Sequence, residues 1–317
     1  MKITVTGAAG FIGRHLVARL LENGHEVRAT YRSPPPLAIK QEGVEHVIAD
    51  LFDPEACRRV CQGADEVYHL AAATGGAAFQ RKRLVGLLNV VPSTQIVLAA
   101  SEVGVRRVLF AGSALLGVQD MCGDQASGNL SFAPVDNGYM TEKRFSEQLW
   151  HAMGEADRIE TRIARLNHVY GPGRAIGGVA EGVTTAMCRK AIEAIQRGDH
   201  EIEIWGDGTQ RRAFTFISDA AEGIERAMRL ENPDPVMISS REVTSINGLV
   251  DLIEKTAGVR FHRRYVSDIG TGAAQHQLDH DGAEAALGWE PSVGIADGIR
   301  RTYEWVRDQI SPSATRS

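Results

Sequence analysis

The stretch MKITVTGAAGFIGRHLVARLLENGHEVRATYRS, residues 1–33, decides how this chain folds. An apolar strand runs straight into Gly7, Gly10 and Gly13; Leu16, Leu20 and Leu21 then recur at helical spacing, and the segment from His25 to Thr30 reads as a second strand. Strand, glycine turn, helix and strand make one β-α-β unit. Such a turn is suited to a phosphate, because glycines let the backbone approach a pyrophosphate whose charge rests on the helix N-terminus, here opened by Phe11 and Ile12. A tight turn without a ligand is the competing reading. The β-α-β context and the position at the first strand weigh against it.

The end of the second strand bears on which dinucleotide would bind. An acidic residue there would hydrogen-bond the ribose of NAD and repel a 2′-phosphate, but the segment reads Ala29-Thr30-Tyr31-Arg32-Ser33. Arg32 stands where a guanidinium can hold a phosphate, and Arg14 at the start of the first helix offers a second cation. NADP(H) is therefore favoured and NAD(H) is the alternative; solvated surface arginines are the plainer reading of both side chains.

Outward from this unit the same alternation continues. Residues 44–51 read as a strand ending in Asp50 and Leu51, with Asp50 placed to hydrogen-bond an adenine amino group. Residues 67–73 form another strand, in which Leu70, Ala71 and Ala72 let the chain pass close to a cofactor. Asn89 is read as the start of a helix, and residues 107–113 as a strand ending in Ser113. A hydroxyl at a strand's carboxyl end faces the crevice where open α/β sheets bind ligands. Further on, NGYMTEKRFSEQLW (137–150) sets Tyr139 and Lys143 four residues apart, on one helix face. A free phenol titrates near ~10, and a nearby ammonium is expected to lower that value and make the pair an acid/base. Each residue also has a scaffold reading: Asp50 in a turn, His69 in the core, Asn89 as a cap, Tyr139 half-buried beside an exposed lysine.

Taken in order, Gly7, Gly10, Gly13, Asp50, Ser113, Tyr139 and Lys143 resemble the extended short-chain dehydrogenase/reductase family, in its nucleotide-sugar epimerase, dehydratase and reductase branch. Later landmarks extend the likeness over almost the whole chain: RLNHVYGPG (165–173), WGDGTQRRAFTFISD (205–219) and LGWEP (287–291). CRKA (188–191), the second of those landmarks and IRRTYEWVRDQI (299–310) look most like GDP-mannose 3,5-epimerases. The resemblance implies a Rossmann-type α/β fold, with a doubly wound parallel sheet in residues 1–166, residues 211–230 returning to it, and a smaller substrate-binding lobe in 167–317. It also implies a nucleoside-diphosphate sugar as substrate. Ser113, Tyr139 and Lys143 would be the catalytic set, Lys143 also holding the nicotinamide ribose, and Arg212 would fork onto the diphosphate.

The departures from that pattern narrow the chemistry. The cysteine and lysine that move protons in 3,5-epimerases are replaced by Leu115 and Ile176, and the Asp-Glu pair of dehydratases by Ala114-Leu115. The asparagine expected beside Asn167 is His168, and a late diphosphate-binding arginine is His276. A neutral imidazole binds phosphate more weakly than a guanidinium. The expected activity is an NADPH-dependent reductase acting on a keto group of a nucleoside-diphosphate sugar, of 4-ketoreductase type. The alternative is a nucleotide-sugar epimerase with tightly bound NAD.

Composition limits the classes of partner. A chain of 317 residues can bury a sizeable core, and a net charge of −5 without a basic run argues against nucleic acid. The first strand begins at once, with no charged leader and no apolar run approaching a membrane span, so a cytoplasmic enzyme is expected. Cys57, Cys61, Cys122 and Cys188 read as unpaired thiols, and no second ligand pair makes a metal site. The resemblance also implies that helices near Asn89 and Tyr139 form a dimer face, so a homodimer is expected; Val90, Ile96, Val97, Phe145 and Leu149 are candidate contacts, with packing on the sheet as the alternative for the same residues.

Overall fold

A computed structural model describes residues 1–35, 42–75, 85–116, 138–156, 158–266 and 280–311. Its first element is β1 (Lys2–Thr6), followed by α1 (Phe11–Glu22) and β2 (Glu26–Tyr31). In α1, Leu16, Val17 and Leu20 turn one buried stripe toward the sheet. Burying an aliphatic side chain of this size is worth about 1.5–3 kcal/mol. Next come β3 (Val44–Ile48), α2 (Pro54–Cys61), β4 (Glu66–His69), α3 (Val85–Glu102), β5 (Arg107–Ser113), α4 (Gly138–Glu155) and β6 (Glu160–Leu166). Helix α2 is capped by Asp53, whose carboxylate accepts from the Glu55 amide at 3.0 Å, with Pro54 at its first position.

Strands 1 to 6 lie in the order 3-2-1-4-5-6, all parallel, and β10 (Val236–Ile238) extends the sheet beyond β6. This is the doubly wound order, in which ligands bind beyond the carboxyl ends where the strand order reverses, here between β1 and β4. One face packs on α1 and on α6 (Ile217–Met228) through Leu16, Leu20, Ile224 and Met228. The other packs on α2, α3 and α4 through Cys57, Val60, Ile96, Val97 and Trp150. The structure thus has the Rossmann-type parallel architecture that the opening residues predict.

The remaining elements build a second core. They are β7 (His168–Tyr170), α5 (Val183–Arg197), β8 (Glu201–Trp205), β9 (Arg211–Phe216), β11 (Val243–Ser245), α7 (Ile246–Ala257), β12 (His262–Val266) and α9 (Ile295–Ile310), whereas α8 (His280–Leu287) sends Leu287 into the core of the large sheet. Strand β9 pairs with β7 and β11 in a three-stranded sheet, and β12 pairs with β8. Tyr170, Cys188, Ile202, Phe214, Leu249 and Val306 are buried together among them. Within residues 211–230, β9 belongs to this small sheet, whereas α6 packs against α1 and the large sheet.

Two local readings differ from the sequence expectation. Helix α3 starts at Val85, so Asn89 lies in its second turn instead of opening it. Ile96 and Val97 are fully buried against the sheet and are not available to a partner. Helix α3 is apolar on nearly every side and carries Pro92 inside, so periodicity gives no hint of which residues face inward.

Candidate active site

The glycine turn is a cradle that side chains would fill. Gly7 has φ +69°, and a Cβ added there would lie 2.7 Å from the Ala71 nitrogen; one added at Gly13 would lie 2.2 Å from the Gly7 carbonyl oxygen. Both approaches are closer than a carbon can make, so the close passage of β1, α1 and the end of β4 depends on these two positions. The Gly10 amide donates to the Gly7 carbonyl at 2.9 Å, and the first amides of α1, from Phe11 onward, point out of the helix end without intrahelical acceptors. The donors and space suit a pyrophosphate.

Around this cradle the strand ends are tied by buried polar groups. The Thr6 hydroxyl pairs with His69 Nδ1 at 2.9 Å and accepts from the Ala71 amide at 3.2 Å, which fixes the path of Leu70, Ala71 and Ala72 beside Gly7. His69 packs in one aromatic cluster with Phe110 and Trp150, and burial, aided by Lys143, lowers its pKa to about 3. It stays a neutral core imidazole. Asn89 accepts from the Ala73 amide at 2.6 Å and donates to the Ala73 carbonyl at 3.1 Å, clamping the chain that leaves β4.

At the outer end of the cradle, Asp50 is exposed and its carboxylate accepts from the Phe52 amide at 3.1 Å, while Leu51 is buried. Strand β2 ends with Tyr31, whose hydroxyl pairs with His46 Nδ1 at 2.9 Å, and then with the exposed Arg32. Among the described residues that close this strand, none carries a carboxylate.

Ser113 is buried at the carboxyl end of β5, and its hydroxyl is hydrogen-bonded to the Tyr139 phenol. The Lys143 ammonium is buried on the same wall: it donates to the Ala111 carbonyl at 3.0 Å, lies 4.6 Å from the centre of the Phe110 ring and 5.7 Å from that of Tyr139. Sequence spacing thus brings serine, tyrosine and lysine together. The expected lowering of the phenol does not hold in the protein alone: burial first, and the Glu142 charge second, push the phenol up to about 12, and the Ser113 hydrogen bond only partly opposes them. Burial also pushes the Lys143 ammonium below the ordinary lysine value, against the pull of Glu142 and Glu147.

The substrate-lobe candidates cluster less tightly. Asn167 Nδ2 donates to the Ser239 hydroxyl at 2.9 Å, and His168 opens β7 with its ring 5.9 Å from Phe214. Arg212 lies half-buried on β9, where burial lowers its pKa. Leu115 follows Ser113 closely, its amide 3.4 Å from the Ser113 hydroxyl, and Ile176 packs into the second core. His276 and Cys122 lie outside the described residues, as does most of the polar segment before Tyr139. Cys57 and Cys61 are buried thiols raised to about 12, and among the described residues no group of His, Cys, Asp and Glu side chains suits a metal ion.

Residues 3–238 match the NAD dependent epimerase/dehydratase family. The chain belongs to that family. Across all of its length it is 30% identical to GDP-mannose 3,5-epimerase 1 of Oryza sativa subsp. japonica, covering 84% of that protein. Over 99% of its length it is 24% identical to UDP-glucuronic acid decarboxylase 1 of Xenopus tropicalis, covering 74% of that protein. Among solved structures, UDP-glucose 4-epimerase from Thermotoga maritima, in complex with UDP-glucose, superposes with a TM-score of 0.84 at 24% identity over 98% of this chain and 100% of that one. A UDP-glucuronic acid 4-epimerase mutant from Bacillus cereus, in complex with NAD and a fluorinated UDP-sugar, gives a TM-score of 0.78 at 25% identity, covering 98% and 100%.

Within this member of the family, two buried carboxylates escaped the sequence reading. Glu147 forks with Arg165 of β6, locking α4 to the sheet. Glu142 accepts from Asn89 at 3.2 Å and from Ser146 at 3.1 Å and lies 3.8 Å from the Lys143 ammonium. The available signal was spacing: Tyr139, Glu142 and Ser146 fall on one helix face. An acid before a lysine in a polar helix ordinarily reads as solvated.

Proposed function

We propose that this protein is an NADPH-dependent reductase that acts on a ketone of a nucleoside-diphosphate sugar, of 4-ketoreductase type. The observation that carries the reading is the Ser113–Tyr139–Lys143 set, serine and lysine buried and tyrosine half-buried, with its phenol held in the protonated form, while the positions of the epimerase proton carriers are Leu115 and Ile176. Bound in the cradle of Gly7, Gly10, Phe11, Ile12 and Gly13, a nicotinamide dinucleotide supplies the hydride. Tyr139 gives its phenolic proton to the substrate oxygen as the carbonyl becomes an alcohol, Ser113 hydrogen-bonds that oxygen, and Lys143 holds the nicotinamide ribose and steadies the phenolate left behind. Asp50, Leu51, Leu70, Ala71 and Ala72 line the rest of the dinucleotide site. Arg32, at a strand end without a carboxylate, favours the 2′-phosphate of NADP(H), although the NAD-bound structural relatives keep NAD(H) as the alternative.

In the substrate lobe, Arg212 grips the diphosphate, assisted by Asn167, His168 and His276. The enzyme works as a cytoplasmic homodimer through α3 and α4, where Leu88, Leu98 and Phe145 are exposed. The test supplies C4-deuterated NADPH with a panel of nucleoside-diphosphate 4-keto-hexoses. Deuterium on the former carbonyl carbon and stoichiometric loss of NADPH are expected; no transfer to any member of the panel sinks the reading. The second reading, an epimerase that recycles its cofactor, is favoured by the likeness to GDP-mannose 3,5-epimerases. Protein isolated with stoichiometric NAD, and showing no net NADPH consumption, selects it.

A further inference from the structure

Glu142 is fully buried, yet its surroundings hold no guanidinium among the described residues. Its neighbour Glu147 shows the usual solution, a fork from Arg165. A carboxylate buried with one amide, one hydroxyl and an ammonium at 3.8 Å adds little to stability, and an apolar residue would fill the same volume at least as well. It also lines a small, partly open pocket with His69, Asn89, Ser93 and Lys143, beside the strand end that carries Leu70 to Ala72.

We propose that Glu142 is a positioning residue for the catalytic pair: its carboxylate fixes the Lys143 ammonium on the Tyr139 side of α4 and sets the pH range in which the phenol gives up its proton. The inference rests on the reading that Tyr139 and Lys143 serve hydride transfer. Among the described residues, the charged and titratable groups that face this carboxylate are Tyr139 and Lys143 on α4 and His69 on β4; Glu147, on the next turn, is balanced by Arg165 of β6. Asn89 and Ser146 hold it in place, and His69 stays neutral.

The sign of the effect is fixed by electrostatics. A negative charge makes every nearby proton harder to remove, and Glu142 opposes deprotonation of both Tyr139 and Lys143. Neutralising it must therefore make both groups more acidic, with no cancellation between them. In the reducing direction activity needs the protonated phenol, so the basic limb of the profile moves to lower pH.

The experiment compares the pH dependence of kcat/KM for NADPH-driven ketone reduction in the full chain, using the keto-sugar found by the deuterium panel. Glu142→Gln should move the basic limb down by about one pH unit, and Glu142→Asp, which keeps the charge, should leave it near the wild-type position. A Gln variant with an unmoved limb overturns the inference, since loss of packing alone lowers rate or stability without shifting a titration. If the Gln variant does not fold, Glu142→Ala carries the same measurement. Tyr139→Phe separates the two levels: an active Phe variant, or no turnover of any keto-sugar, defeats the underlying reading, whereas an inactive Phe variant with an unmoved Gln profile defeats only the role of Glu142.

Discussion

Helix α4 and the turn after β7 treat ionisable side chains in opposite ways. In α4, Glu142, Lys143 and Glu147 are withdrawn from water and Tyr139 is half-buried, and all four are held by named partners: Asn89, the Ala111 carbonyl, Arg165 and Ser113. In the turn, Ile176 adds its side chain to an apolar core, and Arg174 spreads over the Phe11 ring at 5.4 Å while donating to the Val169 carbonyl at 3.0 Å. One region is arranged so that a proton can move under control. The other offers cations and shape. On the proposed reading, proton exchange belongs to a single wall, which suits chemistry at one carbon better than two-site epimerisation.

The sharpest way to break this contrast is to remove the phenol. Tyr139→Phe should lower kcat for ketone reduction by about 10³-fold, within the range that a positioned proton donor contributes. NADPH affinity, measured by quenching of protein fluorescence, should change little, because the cradle is untouched. A Phe variant retaining a tenth of wild-type kcat would show that another acid supplies the proton, and the contrast between the regions would fall.

A smaller effect is expected on the gripping side. Arg212 is half-buried on β9, and removing a guanidinium that holds a diphosphate costs about 1.5–3 kcal/mol of charged hydrogen bonding. Arg212→Ala should therefore raise KM for the nucleotide sugar by about 10- to 100-fold and leave kcat within about threefold, the pattern of lost uniform binding. A fall in kcat with KM unchanged would move Arg212 from grip to chemistry.

How far these regions could be read in advance follows from what each depends on. The β1-α1-β2 unit was legible because glycine spacing and apolar periodicity are local, and the structure adds the reason: a Cβ at Gly7 or Gly13 would strike backbone. Ser113, Tyr139 and Lys143 were legible as a pattern, but the state of the phenol was not. Its pKa is set by burial, which depends on what β5 and α3 stack against it, and burial outweighs the expected help from Lys143. Glu142 was missed for the same reason, since nothing in YMTEK says that Asn89, 53 residues away in sequence, will cover the carboxylate. For Ile96 and Val97 the sequence leaves partner contact and sheet packing both open, because a helix this apolar gives no preferred face, and the structure buries both on the sheet.

The smallest effect is expected at Leu115. Its amide lies 3.4 Å from the Ser113 hydroxyl, so a thiol placed there would stand two residues from the serine of the proposed catalytic set. A thiol alone is still half of a pair, because proton exchange at a sugar carbon needs one group to take the proton and another to return it on the opposite face, and Ile176 supplies neither. Leu115→Cys should thus leave ketone reduction within about twofold, the change expected of a half-buried side chain swapped for a smaller apolar one without loss of a polar contact. In heavy water it should incorporate no deuterium at carbon-bound positions next to the ketone, as read by proton NMR of the product. Incorporation in the single variant, or already in the wild type, would mean that a second acid/base lies on the gripping side after all, and the division between a chemical wall and a binding wall would have to be redrawn around it.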